Sequence, residues 1–134
     1  MRSTWQFGLP EERSFGFAQA VGAGGLVHVS GQIGADGDER PDDMQGQMRV
    51  AYRRIARLLE QAGATVGDVV DETVFVTDMA AASRAARVVR REVYGDEPRV
   101  ASTMVGVSVI GHPRAEPPLL VEIKCTAVGG VGGA

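Results

Sequence analysis

The chain has 134 residues and a mass of 14.1 kDa, which suits one domain and is too short for two separate cores. Hydrophobic residues make up 44% of it, enough to build a core without disulfides or metal. Fourteen basic residues against 17 acidic ones leave a net charge of −3, so no overall positive field holds a phosphate backbone. Nucleic acid is therefore not an expected partner.

Cysteine and histidine are scarce. A single Cys125 cannot form an internal disulfide, and one Cys with two His does not make a four-ligand structural zinc site. We expect no metal and no cofactor. Residues 1–13 lack the apolar run of a secretion signal, and the longest uncharged run, residues 100–113, is too short to span a bilayer. These features predict a cytoplasmic protein that does not contact a membrane.

The first predicted elements form a β-hairpin. Residues 15–21 are extended in character, and residues 26–30 follow the Gly24-Gly25 pair as a strand that is entered from a tight turn. Residues 34–43 collect Gly, Asp, Glu and Pro, which predicts an exposed loop. Asp42, with Gln45 three residues later, has the pattern of a capping box and predicts the start of a helix.

Two amphipathic helices are predicted next. In the first, apolar residues recur at three- and four-residue steps from Met44 to Leu59, and the helix ends at Gly63. Its opposite, solvent-facing arc is predicted to hold Arg49, Arg53, Arg54 and Arg57. The second covers residues 79–93. Its arginines likewise predict a solvated outer face.

Three further strands complete the predicted order. Residues 69–77 are β-branched but interrupted by polar residues, and residues 102–109 and 119–128 form the last two strands. The order β-β-α-β-α-β-β predicts an α+β fold with both helices on one face of a mixed sheet. We expect residues 1–128 to form a single domain and residues 129–134 to form a flexible Gly-rich tail.

The last strand alternates between two kinds of side chain. One side carries Leu119, Val121, Ile123, Cys125 and Ala127; the other carries Leu120, Glu122, Lys124, Thr126 and Val128. The first side is apolar and belongs under the helices. The second is mixed, a composition typical of a surface shared between solvent and a wet subunit interface, so the sequence predicts self-association.

Five segments occur in an order that is typical of one known family. They are FAQAV at residues 17–21, LVHVSGQI at 26–33, ETVFVTDM at 72–79, STMVGV at 102–107 and LVEI at 120–123. Together they resemble the Rid family, the reactive intermediate deaminases. The resemblance implies a chorismate-mutase-like domain, a homotrimer with a central barrel, and clefts for small molecules between neighbouring subunits.

The resemblance also implies site residues. In Rid members with deaminase activity, an arginine binds the substrate carboxylate, and a glutamate of the last strand serves the water that attacks an imine carbon. Glu122 falls on that glutamate, and Ser30 and Gly31 fall on the pocket wall. Phe17 stands where active members often have tyrosine.

The family's arginine has no counterpart. When Ser102 is aligned on the serine or threonine that follows it, Ala101 occupies its position. Two charge-assisted hydrogen bonds of about 1.5 to 3 kcal/mol each are then lost, which weakens transition-state binding of an amino-acid imine by roughly 10² to 10⁴. Arg99 is two residues before Ala101, and in an extended segment the two side chains point to the same side. The alternative that Arg99 binds the substrate carboxylate and rescues the deaminase activity therefore stays open.

The leading hypothesis is a cofactor-free protein that binds a small molecule and hydrolyses an imine- or enamine-like metabolite, with Glu122 orienting water. Ala101 argues against an efficient 2-imino-acid deaminase. A noncatalytic ligand-binding or partner-interaction protein is the first alternative, and an RNA-cleaving protein is another. The irregular segment 110–118, with His112, is expected to shape the rim of the cleft.

Overall fold

A six-stranded mixed sheet carries two long helices and one short one. The computed structural model describes residues 2–129, so the predicted tail at 129–134 lies outside the described residues except for Gly129. The elements are β1 (Ser3–Trp5), α1 (Pro10–Phe15), β2 (Ala20–Ala23), β3 (Leu26–Ile33), α2 (Met44–Gln61), a 3₁₀ helix (Val66–Asp68), β4 (Val69–Val76), α3 (Met79–Tyr94), β5 (Ala101–Gly106) and β6 (Val121–Val128).

The last strand lies in the middle of the sheet. The strand order is β1-β2-β3-β6-β4-β5, and β6 is antiparallel to both β3 and β4. Strands β3 and β4 are therefore parallel to one another, as are β4 and its neighbour β5. The α+β class and the predicted order of five strands and two helices are confirmed from β2 onward, with β1 and α1 added before them.

The prediction of an extended segment at residues 15–21 is wrong in its first part. Phe15 ends the helix α1, because Pro10 at the first helical position and Glu12 in the first turn favour helix more than the apolar spacing favours strand. The tight turn of the hairpin is confirmed. Gly24 and Gly25 form it with φ values of 60° and 81°, which residues with a side chain rarely adopt.

Three predicted element boundaries shift. The side chain that caps α2 is Asp43, which accepts a hydrogen bond from Gly46 N at 3.2 Å, and not Asp42. Strand β5 ends at Gly106, three residues before the predicted end, and β6 begins at Val121, two residues after the predicted start. Between these strands the chain follows an irregular path that the alternation of residue types did not reveal.

The two faces of the sheet differ as the alternation predicts. The inward residues of β6, Val121, Ile123, Cys125 and Ala127, are at most 2% exposed beneath the long helices. On the opposite face, which we call the open face, Glu122 and Thr126 are half-buried while Lys124 and Val128 are exposed. Among residues 2–129, no helix is long and apolar enough to cross a membrane.

Arg54 departs from its predicted position on the solvated arc of α2. It is buried, where its Nε donates to Gln32 Oε1 at 2.9 Å and its Nη1 donates to Ala35 O at 3.0 Å. The ring of Phe7 lies 4.8 Å from the guanidinium carbon. Burial lowers the pKa of Arg54 because the charged form is desolvated. The spacing of the arginines does not show this, because the acceptors come from β3 and the loop after it.

Glu72 explains why the pattern of β4 looked interrupted. Its side chain is fully buried on the helix-covered face, where Oε1 accepts hydrogen bonds from Tyr52 and Tyr94 at 2.8 and 2.7 Å. Oε2 accepts from Ser102 Oγ at 2.6 Å and from Arg90 Nε at 3.2 Å. A charged residue can occupy a core position of this strand because every lone pair that it buries has a donor.

Replacing Glu72 by Ala should therefore lower the free energy of unfolding by about 3 kcal/mol, since two tyrosine hydroxyls and Arg90 lose their shared acceptor. Urea unfolding measures the change. Asp71→Ala, on the exposed side of the same strand, is the control and should cost under about 0.5 kcal/mol. Equal effects of the two substitutions would contradict the role of Glu72.

Candidate functional site

Glu122 lies in a crevice on the open face. It sits on β6 with Ile33 of β3 on one side and Phe75 of β4 on the other. The crevice has a volume of about 220 Å³, and the side chains that line it besides Glu122 are apolar. Its lining is formed by Phe75, Val107, Val109, Ile110, Gly111 and Glu122. The segment after β5 thus builds one wall, and the sheet supplies the carboxylate.

Gly31 gives the Glu122 carboxylate its position. A Cβ atom added to Gly31 would lie 2.4 Å from Glu122 Oε2 and 2.7 Å from Cδ, far inside van der Waals contact. The pairing of β3 with β6 shifts its register between Val29 and Gln32, which brings the backbone of residue 31 against the acid. The carboxylate therefore packs directly on the β3 backbone, as only a glycine there allows.

The surroundings of Glu122 make it a stronger base than an ordinary glutamate. Burial raises the pKa of this carboxyl, because the crevice removes water without supplying a compensating charge. Lys124 lies two residues along the same face, but within residues 2–129 the two side chains do not form an ion pair. A partly desolvated carboxylate of this kind can accept a proton from a water molecule.

A buried chain of polar side chains supports this part of β3 from the helix-covered face. Gln32 Nε2 donates to Gln19 Oε1 at 2.9 Å and to Ser30 O at 3.0 Å. Gln19 Nε2 in turn donates to Glu12 Oε2 at 2.9 Å, and Arg54 closes the chain at Gln32 Oε1. Sequence reasoning missed these residues. The alternation of residue types gave no signal for them, because Gln19 precedes β2 and the register shift between Val29 and Gln32 turns Gln32 to the buried face.

Glu12 ends this chain as the acceptor of four hydrogen bonds. Its carboxylate accepts from the backbone N–H groups of Phe7, Gly8 and Leu9 at 2.8 to 3.1 Å, in addition to Gln19. Burial raises the pKa of Glu12, but the hydrogen bonds together outweigh this effect and the pKa is lowered. Glu12 thus ties the segment between β1 and α1 to the buried chain.

Neither Ser30 nor Phe17 lines the Glu122 crevice. Ser30 Oγ donates to Ala18 O at 2.6 Å, and Ser30 lines a separate hollow of about 140 Å³ together with His28 and Lys124. Phe17 is 36% exposed, and its carbonyl accepts from Gln6 Nε2 at 3.1 Å. Among the residues that the sequence assigns to the pocket, Gly31 is the one that lies directly against Glu122 within a single protomer.

Ala101 lies far along the sheet from Glu122 within one protomer. It pairs with Asp71 of β4, whereas Glu122 pairs with Phe75, four residues further along the same strand. At about 3.3 Å per residue this offset is about 13 Å, before the width of the intervening strand is added. Arg99 precedes Ala101 and lies further still, so neither residue reaches Glu122 of its own protomer.

Ser102 faces the other side of the sheet. Its hydroxyl donates to the buried Glu72 and accepts from Arg90 Nη2 at 2.5 Å. A ligand on the open face therefore meets Ala101 and Thr103 of this strand rather than the Ser102 side chain.

The segment between β5 and β6 is fixed by a buried glutamine. Gln47 Nε2 donates to Pro118 O at 2.8 Å, and Leu120 N donates to Gln47 Oε1 at 2.8 Å. His112 lines a neighbouring crevice of about 260 Å³, which shares Val109 and Ile110 with that of Glu122. The rim predicted for residues 110–118 thus lies next to the acid.

No group of three or more His, Cys, Asp or Glu side chains within residues 2–129 is arranged to hold a metal ion. Cys125 is buried beneath the helices, and burial raises the pKa of its thiol to about 12. The thiol is protonated at neutral pH and does not act as a nucleophile.

Comparison with known proteins gives a consistent result. A family model described as Endoribonuclease L-PSP matches residues 12–129. The RutC family protein YjgH of Escherichia coli is 34% identical over 93 residues, which cover 69% of this chain and 71% of YjgH.

Two solved structures share the fold along nearly the whole chain. Rv2704 of Mycobacterium tuberculosis, described as a member of the YjgF/YER057c/UK114 family, superposes with a TM-score of 0.82 at 36% identity, covering 96% of this chain and 99% of Rv2704. YyfA of Yersinia pestis, described as a protein of unknown function of the conserved Rid family, superposes with a TM-score of 0.79 at 25% identity, covering 96% and 99%.

The contact between Gly31 and Glu122 can be tested by a double-mutant cycle. Gly31→Ala should lower the free energy of unfolding by about 1 to 3 kcal/mol, because the new methyl group displaces the carboxylate. In a Glu122→Ala background the same substitution should cost clearly less, since the clashing atoms are gone. Gly106→Ala, where the nearest atom is Met79 Cε at 3.8 Å, is the strand control. An undiminished cost in the double variant would contradict the contact.

The raised pKa of Glu122 predicts how stability depends on pH. Below about pH 4.3 both the folded and the unfolded chains hold the proton, so burial of this group costs little. As the pH rises through the folded-state pKa, the native state loses stability relative to Glu122→Gln. The melting temperature of the variant minus that of the native chain should therefore be more positive at pH 7 than at pH 4. The opposite trend would show that the folded state stabilises the ionised acid. Glu60→Gln, on the exposed surface of α2, reports the general effect of removing one acidic charge.

Proposed function

Because the chain belongs to the Rid/YjgF family, we propose that this small-molecule protein hydrolyses an imine- or enamine-like metabolite at Glu122. It is a poor deaminase for 2-imino acids. The observation that carries the proposal is a half-buried carboxylate among apolar side chains, which forms no ion pair within residues 2–129.

The proposed reaction uses one water molecule and no other reactant. Glu122 accepts a proton from water while the water oxygen bonds to the imine carbon, and the protonated carboxyl passes this proton to the imine nitrogen, which gives a carbinolamine. Glu122 then accepts the hydroxyl proton of the carbinolamine and transfers it to the amine nitrogen as the carbon–nitrogen bond breaks, so that an imine and water give a carbonyl compound and ammonia. A raised pKa favours this role, because a general base near the working pH both accepts and returns the proton readily.

Preference for substrates without a carboxylate follows from the charges. Within residues 2–129, no arginine or lysine lines the Glu122 crevice, and Ala101 replaces the arginine that the family resemblance leads one to expect. A carboxylate next to Glu122 would meet a like charge in a partly desolvated site. Neutral imines and enamines avoid this repulsion.

The complete site requires a second subunit in this proposal. Ala101 and Glu122 occupy opposite ends of the open face of one protomer, so a ligand touches both only across an interface. We propose a homotrimer with the open faces turned inward, in which Ser30, Gly31 and Phe17 shape clefts between subunits. The exposed Val105 and Val128 on this face favour burial against another copy. Its cytoplasmic location stays a prediction.

Ammonia release from freshly generated imines tests the proposal. The 2-imino acid of leucine and the neutral imine of isoamylamine share an apolar side chain and differ by the carboxylate. The protein should accelerate hydrolysis of the neutral imine, and Glu122→Gln should lose about 10² to 10⁴ of that acceleration. Glu122-dependent turnover of the imino acid at 1 s⁻¹ or more would contradict the preference. Binding of the neutral imine without turnover would favour the noncatalytic alternative.

An arginine introduced at position 101 tests whether this residue meets the substrate carboxylate. Ala101→Arg should raise kcat/KM for the imino acid by roughly 10², because a bidentate contact to its carboxylate is gained. Ala101→Gln introduces a polar hydrogen-bond donor without the charge and is the control. No gain from arginine, or an equal gain from glutamine, would show that residue 101 does not meet the substrate carboxylate.

A further inference from the structure

A second groove lies on the face of the sheet opposite to Glu122, between α3 and the edge strand β5. Its volume is about 620 Å³, against about 220 Å³ for the Glu122 crevice. The residues that line it are Met79, Ser83, Ala86, Arg87, Arg90, Arg91 and Met104. The groove thus combines three arginines and a serine hydroxyl with an apolar floor, and the proposed hydrolysis uses none of them.

Two of these arginines lack an acidic partner. Arg90 is compensated by Glu72, at 3.2 Å. Within residues 2–129, Arg87 and Arg91 have no carboxylate within 4.0 Å. The exposed arginines of α2 behave differently, because each forms an ion pair. These pairs are Arg49 with Glu92, Arg53 with Glu39, and Arg57 with Asp36.

Other exposed arginines within residues 2–129, such as Arg84 of the same helix, also form no ion pair, so it is the groove shared by Arg87 and Arg91 that sets these two apart. Arg87 and Arg91 are one helical turn apart and line the same groove, so their guanidinium groups lie on one side of α3. Two uncompensated positive charges beside a groove form a site for a doubly charged anion.

We propose that this groove binds a small phosphate monoester with a compact apolar group. A phosphate monoester carries a charge of about −1.5 to −2 at neutral pH, which matches the two free guanidinium groups. Its three terminal oxygens can accept hydrogen bonds from both arginines and from Ser83 Oγ. The apolar group lies against Met79 and Met104, whose flexible side chains adapt to different shapes.

A nucleic acid suits this groove less well. A polyanion needs a continuous positive track, and the overall charge of −3 repels its remaining phosphates. One site with two free arginines compensates a single phosphate group and no more. The assignment is independent of the hydrolysis at Glu122, which lies on the other face of the sheet.

Phenyl phosphate is the probe, and its binding is measured by titration calorimetry and by backbone amide shifts in NMR at low salt. We expect binding that shifts amides of α3 and β5. Arg87→Gln and Arg91→Gln should each weaken it about 10-fold or more, since each removes a charge-assisted hydrogen bond. Arg84→Gln is the matched control, because Arg84 is an exposed arginine of the same helix that does not line the groove.

Two comparison ligands separate the contribution of the phosphate charge to binding from that of the apolar group. Inorganic phosphate should bind more weakly because it lacks the apolar group, and benzyl alcohol should not bind because it lacks the charge. Glu122→Gln should leave phenyl phosphate binding unchanged, so that this site and the proposed hydrolysis succeed or fail separately. All the arginine changes are at surface positions, and their melting temperatures verify that the variants are folded.

Three results would overturn the assignment. The first is no binding of phenyl phosphate at 10 mM by either method. The second is an equal loss of affinity in Arg84→Gln, which would show a general charge effect instead of a site. The third is tighter binding of a single-stranded RNA oligonucleotide that depends on Arg87 and Arg91, which would replace the small ligand with a nucleic acid.

Discussion

The Gln32 side chain holds β3 in the position on which the site depends. It is fully buried, yet each end of its amide is hydrogen-bonded, to Arg54 at one end and to Gln19 and Ser30 O at the other. A buried amide or guanidinium without a partner costs about 1 to 3 kcal/mol, so these groups keep one arrangement. Ser30 and Gln32 also lie in the part of β3 where the register shift places Gly31 against Glu122. Polar contacts on the helix-covered face thus determine geometry on the open face.

A similar coupling occurs at the other edge of the sheet. Glu72 accepts hydrogen bonds from Tyr52, Tyr94 and Ser102 beneath the helices and also forms an ion pair with Arg90. This contact fixes α3 over β5, and within residues 2–129 Arg87 and Arg91 form no ion pair beside the groove. One sheet therefore carries two surfaces of opposite chemistry, an apolar crevice with an acid on the open face and a basic groove on the other.

The separation of Ala101 from Glu122 changes how the missing arginine is understood. From the sequence, Ala101 in place of the arginine looks like the loss of the carboxylate-binding half of a site whose other half is Glu122. The strand pairing puts the two positions about four residues apart along β4, so in the proposed trimer the absent guanidinium would belong to a contact between subunits. An open face with half-buried polar residues and exposed valines is the surface on which such a contact can form.

The amino-acid sequence by itself determined which side of β6 is buried and where the two long helices lie, because strand and helix periodicities are local. It also singled out Glu122 and Gly31, through short segments shared with the family. Only the tertiary structure decided that Arg54 is buried, and that Ala101 lies far from Glu122. These outcomes depend on interaction partners that are distant in the chain and on strand register. Neither can be recognised from the periodic spacing of apolar and polar residues.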